Sequence, residues 1–280
     1  MKKKLLITGL CVLSLMSYAG TVSAIGLGGI AKTAKKGAEV AQKLNITVED
    51  EKAYGNAMHP YLVSDFGGEH RNKAVQKYVS AIGHNLVPKD SKFDFTFTVI
   101  NTDMVNAFAM PGGYVYITRG ILKSMKNEAQ LAAVLGHEIQ HVIGRHGKEQ
   151  LQKAVLAEEG VNLAGSAAGK AGGAIGKDLA KKLAGVFKDL AMAGYGRSQE
   201  SESDLRGTDY SYQAGYNPNG GVEFFEILFQ MQGGVDRGGA YATHPKTKDR
   251  INKLSKYIKK KKYSGGKTNE QAFLTMQKKV

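Results

Sequence analysis

The stretch LGHEIQHVIGRHGK, Leu135 to Lys148, holds three of the chain's seven histidines around a single glutamate. Residues four apart on an α-helix share a face, one turn above the other, so His137 and His141 can present imidazole nitrogens to one metal ion. Glu138 stands beside the pair, where its carboxylate can take a proton from an attacking water, the task of a general base in hydrolysis. His137 and His141 are therefore candidate metal ligands and Glu138 a candidate catalytic base. The bland alternative is two exposed helix histidines, so the third ligand carries much of the argument.

An extension of the form HExxHxxGxxH would end on a third histidine. Here Gly144 takes the glycine position, but the histidine slot holds Gly147 and His146 falls one residue early. That offset turns its side chain from the ion, so His146 reads as a structural or supporting group and a carboxylate is needed from downstream. SQESESDLRG, Ser198 to Gly207, offers Glu200 and Asp204, again four apart on an expected helix. Glu200 can bind the ion, and Asp204 can accept the other ring N–H of a ligand histidine, fixing its tautomer. Glu202 competes for the ligand role but lies on a different face from Asp204, and an acidic helix start is also a common solvated cap. Further on, His244 precedes Pro245 and is held extended. From that stiff backbone it can stabilise a transition-state oxyanion, or occupy the metal's open position as a latch, the role favoured here. A surface histidine without effect is the third reading. Arg250 would anchor that loop or carry substrate charge.

These residues need elements to hold them. Asn127, followed by Gln130, suits a helix cap with a reciprocal partner, and Leu131, Val134, Leu135 and Val142 then recur at helical spacing, with Gly144 and Gly147 near the end. Just upstream, NAFAMPGGYVYITRG places Pro111-Gly112-Gly113 between two β-favouring runs, which predicts a hairpin or bent strand pair. Phe93, Phe95, Phe97 and Val99 alternate with polar residues as in a half-buried strand. Helical patterning runs from Val48 to Leu86, with Ala74, Val75, Tyr78, Val79 and Ile82 as an apolar face. The Ala- and Gly-rich region from Ala154 to Ala193 predicts a loose helical pair or flap, and Gln199 to Gln232 is helical again, broken at GYNPNG.

With 280 residues, 42% of them hydrophobic, the chain can bury a core. MKKK, an apolar run and Val22-Ser23-Ala24 match a secretory signal, with cleavage expected after Ala24. The only cysteine, Cys11, lies inside that run, which excludes disulfide and thiolate chemistry from the mature chain. The net charge is +14, of which three units leave with Lys2, Lys3 and Lys4. Such a surface attracts acidic partners, but no nucleic-acid motif accompanies it. The run Lys259 to Lys262 offers peripheral contact with an anionic membrane surface, set against the simpler reading of a solvated tail.

HEIQH followed downstream by ESESD, with NAFAMPGGYVYITRG before and THPKTKDRI after, resembles the M48 peptidases, the group that includes the CAAX-processing protease and bacterial periplasmic relatives. The likeness spans about Glu51 to Ile258. It implies an α+β fold: a mainly helical zincin-type metallopeptidase domain with a small β-sheet whose edge strand precedes the HExxH helix. It also implies one zinc ion per chain, Glu200 as its third ligand, and a minimal periplasmic form. Ser203 departs from the alanine commoner before the aspartate. In similar zinc peptidases a substrate adds to the sheet edge, which makes Asn106, Ala107, Phe108 and Ala109 candidates for substrate binding.

The expected organisation is a signal peptide at 1–24, a lead-in at 25–50, a metallopeptidase domain at 51–258 and a basic tail at 259–280. The expected function is a zinc metalloendopeptidase acting on unfolded or misassembled envelope polypeptides. Its rivals are a chaperone-like binder with a latent zinc site and a polyanion-binding module.

Overall fold

The computed structural model describes residues 45–159, 175–234 and 247–280. The signal peptide, most of the lead-in and His244 lie outside the described residues. The described elements run α1 (Val48–Asp65), α2 (Lys73–Leu86), β1 (Thr96–Ile100), β2 (Ala107–Met110), β3 (Tyr114–Thr118), α3 (Arg119–Ser124), α4 (Glu128–Ile143), α5 (Lys148–Glu159), α6 (Lys177–Ala193), α7 (Arg197–Gln213), α8 (Gly220–Met231), α9 (Thr247–Lys261) and α10 (Glu270–Gln277). The fold is α+β and mainly helical. Its sheet has the order β1-β3-β2, with β1 parallel and β2 antiparallel to β3.

The hairpin forms where Pro111-Gly112-Gly113 predicts it. Gly112 and Gly113 take φ of 88° and 102°, and a Cβ on Gly113 would lie 2.1 Å from the Asp94 carbonyl oxygen, so both conformation and space require glycine there. Alternate residues then face two different cores. Ala107, Ala109, Val115 and Ile117 join the core formed with α2 and α4, whereas Phe108, Met110 and Tyr116 join Met58, Leu62 and Phe187 on the other side. Burial of both faces explains why the polar half of the expected alternation fails at Thr98, which is itself buried.

The long helical stretch divides at Gly67 and Gly68, both at positive φ, where Glu69 bridges to Ile100. On α2 the buried face is Val75, Val79, Ile82 and Leu86, with Ala74 outside it. In α4, Asn127 Oδ1 accepts from the Gln130 N–H at 3.0 Å, while Gln130 Oε1 accepts from the Lys126 N–H at 2.9 Å, one residue further back than a closed capping box. Nearly all of α4 is buried, so it forms the central rod of the domain.

Two regions differ from expectation. The described part of the supposed flap, α6, is docked: Leu183, Ala184 and Phe187 lie in the second core. Residues 259–280 are not a solvated tail. The last turn of α9 is exposed and basic, but the chain returns, and α10 buries Phe273 and Met276 against the first core. Each such side chain stabilises the docking by roughly 1.5–3 kcal/mol. Gln277 Nε2 adds hydrogen bonds to the Leu122 and Met125 carbonyls, both at 2.8 Å, and Asn269 donates to the buried Glu128.

Candidate metal centre

α4 and α7 hold the site because they touch backbone to backbone. A Cβ on Gly136 would lie 2.6 Å from the Gly207 carbonyl oxygen, and one on Gly207 would lie 2.5 Å from His137 N. This approach brings Glu200, on the first turn of α7, against the histidine face of α4. Gly207→Ala should therefore cost about 1–3 kcal/mol of stability, as overpacked cores do, and weaken metal retention by pushing Glu200 away. A lower unfolding midpoint together with easier chelator stripping is the expected result.

His137, His141 and Glu200 are brought together, with one donor atom from each within 4.8 Å of the others. His141 Nε2 lies 2.9 Å from His137 Nε2. The Glu200 oxygens lie 3.4 Å from His137 Nε2 and 3.5 Å from His141 Nε2. A tetrahedral ion with bonds of about 2.0–2.1 Å places neighbouring donors about 3.3 Å apart. The two histidine–glutamate separations match that edge, and the histidine pair needs to open only slightly. Two imidazoles and one carboxylate, all buried, fit zinc.

Each ring directs Nε2 inward because Nδ1 is engaged elsewhere. His137 Nδ1 meets Asp204 Oδ1 at 2.9 Å. Arg250 clamps that carboxylate from the far side, Nε donating to Oδ2 at 2.9 Å and Nη2 to Oδ1 at 2.5 Å. Burial would raise the Asp204 carboxyl, but the charge and hydrogen bonds of Arg250, with His137, outweigh it and lower it to about 2. Burial also opposes charge on His137, yet hydrogen bonds to Asp204 and Glu200 raise it to about 10. Carboxylates that draw a proton so strongly draw a metal cation by the same attraction.

His141 Nδ1 meets His146 Nδ1 at 2.8 Å, so one ring donates and the other accepts. Burial lowers the His146 pKa, which keeps that ring neutral and able to accept, leaving His141 with its Nε2 lone pair inward. His146 thus supports a donor ring without pointing at the common centre. Glu202 also stands apart: half exposed, it accepts from Gln140 Nε2 at 2.8 Å and lies 3.7 Å from His146 Nε2.

Glu138 is buried outside the donor set and lines a cavity that it shares with His137 and Arg250. Burial, helped by the Glu200 charge, raises its carboxyl to about 7 against the pull of His137 and Arg250.

Asn106 precedes β2, and Ala107, Phe108 and Ala109 lie on it, at the sheet edge, but that edge is covered. Asn106 Nδ2 donates to the Ala191 carbonyl of α6 at 3.1 Å, and the Tyr195 hydroxyl donates to the Ala109 carbonyl at 3.4 Å. Tyr195 also stacks on His141 with ring centroids 4.2 Å apart, and its backbone N–H donates to Glu200 Oε1 at 3.2 Å. Sequence reasoning missed this tyrosine; an aromatic set between Gly194 and Gly196 just before the acidic helix was the available signal.

Ser203 Oγ is fully buried and has no hydrogen-bond partner among the described residues. A buried hydroxyl left unsatisfied is costly, so Ser203→Ala should stabilise the fold by about 1 kcal/mol. Its unfolding midpoint should rise with metal content unchanged.

The model of peptidase family M48 matches residues 69–258. A Vibrio cholerae protein named beta-barrel assembly-enhancing protease is 31% identical over 217 residues, 74% of this chain and 43% of its own. The Schizosaccharomyces pombe mitochondrial metalloendopeptidase OMA1 is 27% identical over 220 residues, 76% of this chain and 63% of its own. The Escherichia coli metalloprotease LoiP is 30% identical over 182 residues, 64% of this chain and 67% of its own. The chain thus aligns with about half the length of the first two relatives taken together.

Proposed function

The chain belongs to peptidase family M48, and from that premise we propose that it is a metalloprotease, a zinc-dependent endopeptidase acting on unfolded or misassembled cell-envelope polypeptides. The observation that carries the reading is the buried convergence of His137, His141 and Glu200 with a carboxylate, Glu138, beside it that is not one of the donors. A site built only to hold structure needs no such base. Zinc held by the three donors supplies a Lewis acid for the scissile carbonyl and the attacking water. Glu138 accepts the water's proton at its carboxylate and returns it to the leaving amine. Asp204, fixed by Arg250, holds His137 in the tautomer that points Nε2 inward. Arg250 in this reading positions the site through Asp204, alongside the roles of loop anchor or substrate contact expected for it. His244 is proposed as a latch over the site.

The name of the Vibrio relative links that protein to beta-barrel assembly, which supports an envelope setting. No helix among the described residues is long and apolar enough to cross a membrane. The exposed lysines from Lys259 to Lys262 are proposed to give peripheral attraction to an anionic membrane surface. One observation favours the rival reading of a chaperone-like binder with a latent site: Tyr195 and α6 cover the β2 edge. A peptide pairing with Ala109 would first displace the tyrosine hydroxyl. Incubation with unfolded casein separates the two readings. Hydrolysis that a chelator abolishes and added zinc restores is the expected result, whereas binding without cleavage would reject the endopeptidase.

A further inference from the structure

We propose that Arg145 is a positioning residue for the metal centre: it ties the start of α1 to the turn after α4 and so holds that turn in the conformation that sets His146 on His141. The role rests on zinc being held by His137, His141 and Glu200, and concerns what tunes that grip. α4 ends in two nested hydrogen bonds, from the His146 N–H to the His141 carbonyl at 3.0 Å and from the Arg145 N–H to the Val142 carbonyl at 2.9 Å. Such an ending folds the second residue past the helix cap, here His146, against the residue five places back, here the candidate ligand His141. It also requires the residue between cap and His146 to be left-handed, and Arg145 has a φ of 53°. Glycine usually stands at that place, because a Cβ there crowds the following carbonyl oxygen. Gly144 and Gly147 both miss it. Gly144 instead provides room: a Cβ on it would lie 2.5 Å from His146 Nε2, so only a bare backbone lets the imidazole fold back.

An unfavourable backbone conformation persists only where its surroundings hold it. The Arg145 side chain supplies the hold, Nε donating to Glu51 Oε1 at 2.6 Å and Nη2 to the Ile46 carbonyl at 2.6 Å. The Glu51 side chain is 1% exposed, so this is no surface ion pair: breaking it would strand a buried carboxylate, which is costly. The anchor is itself fixed. Thr47 and Asp50 close a capping box around the first turn of α1, and Ile46 lies in the second core. A glycine at 145 would make the same turn with no anchor at all. An arginine makes it only while α1 holds the guanidinium, and the start of α1 is thereby coupled, through His146, to the orientation of His141.

Zinc dissociation constants should be measured by competition with a chromophoric chelator, with the unfolding midpoint of each metal-free variant alongside. Arg145→Ala keeps a Cβ and loses both side-chain bonds, so it should weaken zinc by about tenfold, within the range for loss of an outer partner. Combined with His146→Ala, it should weaken zinc no further than His146→Ala does alone, since both changes act along one route. Glu51→Ala should weaken zinc as well. Adding Arg145→Gly to Glu51→Ala should then recover most of the affinity, because glycine takes the left-handed turn unaided. A fold that was merely destabilised would regain nothing from a second substitution that removes the remaining bond to Ile46. Should Arg145→Ala fail to fold, Arg145→Gln takes its place in both comparisons. Parent-like zinc affinity without the Arg145 side chain, a loss that adds to that of His146→Ala, or no recovery with glycine overturns the role. A parent that binds no zinc removes the metal centre and this role together. Zinc bound with casein left intact removes the peptidase alone, and the dependence on Arg145 stands.

Discussion

Replacing Glu138 by Gln should lower peptide hydrolysis by about 10²–10⁴-fold, the usual contribution of a general base, while the metal stays bound. The two effects separate because Glu138 and the donors do different work on the same helix. His137 and His141, four residues apart, turn their Nε2 atoms to a common point with Glu200. Glu138, one position on from His137, is instead directed to the cavity wall. Gln conserves the volume of the buried side chain, so neither a void nor a clash accompanies the change. What disappears is the ability to accept a proton. The measurement is kcat/KM on a casein-derived peptide alongside metal content. Activity near that of the parent would remove Glu138 from the mechanism, and loss of metal would show that it supports the donors after all.

The parts of this architecture legible in the sequence are those governed by local geometry. Helical spacing alone puts His137 over His141 and Glu200 over Asp204, and Pro111-Gly112-Gly113 can form little other than a tight turn. The pairing of those two helices is a tertiary fact, visible in sequence only through family resemblance; its physical basis, Gly136 against Gly207, involves two residues that carry no side-chain signal. The clamp of Arg250 on Asp204 joins positions far apart in the chain, with no periodicity to reveal it. The cover over β2 was hidden for another reason. The Ala- and Gly-rich composition of that stretch predicts a loose helical pair or flap, yet Leu183 and Phe187, one turn apart on α6, suffice to dock it when the sheet offers a second apolar face. The C-terminal return depends similarly on Phe273 and Met276 within a lysine-rich segment. Charge counting describes such a segment as a tail, because composition averages over the two residues that bury themselves.

Glu200→Ala should strip most of the metal, whereas Glu202→Ala and His146→Ala should leave it largely in place. The three residues test the same question, which group completes the donor set, at three different positions. Glu200 is fully buried, with its oxygens 3.4 and 3.5 Å from the two inward Nε2 atoms. Its removal leaves two imidazoles and no anion at the centre, short of the three protein donors that an open zinc site uses. Glu202 spends its carboxylate on Gln140 and is half exposed. His146 reaches the centre only through His141 Nδ1, so losing it should weaken affinity by at most about 10–100-fold, as loss of an outer hydrogen-bond partner does. Two readouts are needed, because a destabilised fold also releases metal. Metal content gives the first. The second is the unfolding midpoint with and without chelator, since an ion bound only by the folded state stabilises it by mass action. The midpoints of the parent, Glu202→Ala and His146→Ala should all drop when metal is withdrawn. That of Glu200→Ala should not respond, having no bound ion to lose. A chelator response retained in Glu200→Ala but absent in His146→Ala would return the third ligand to the histidine and undo the site as drawn.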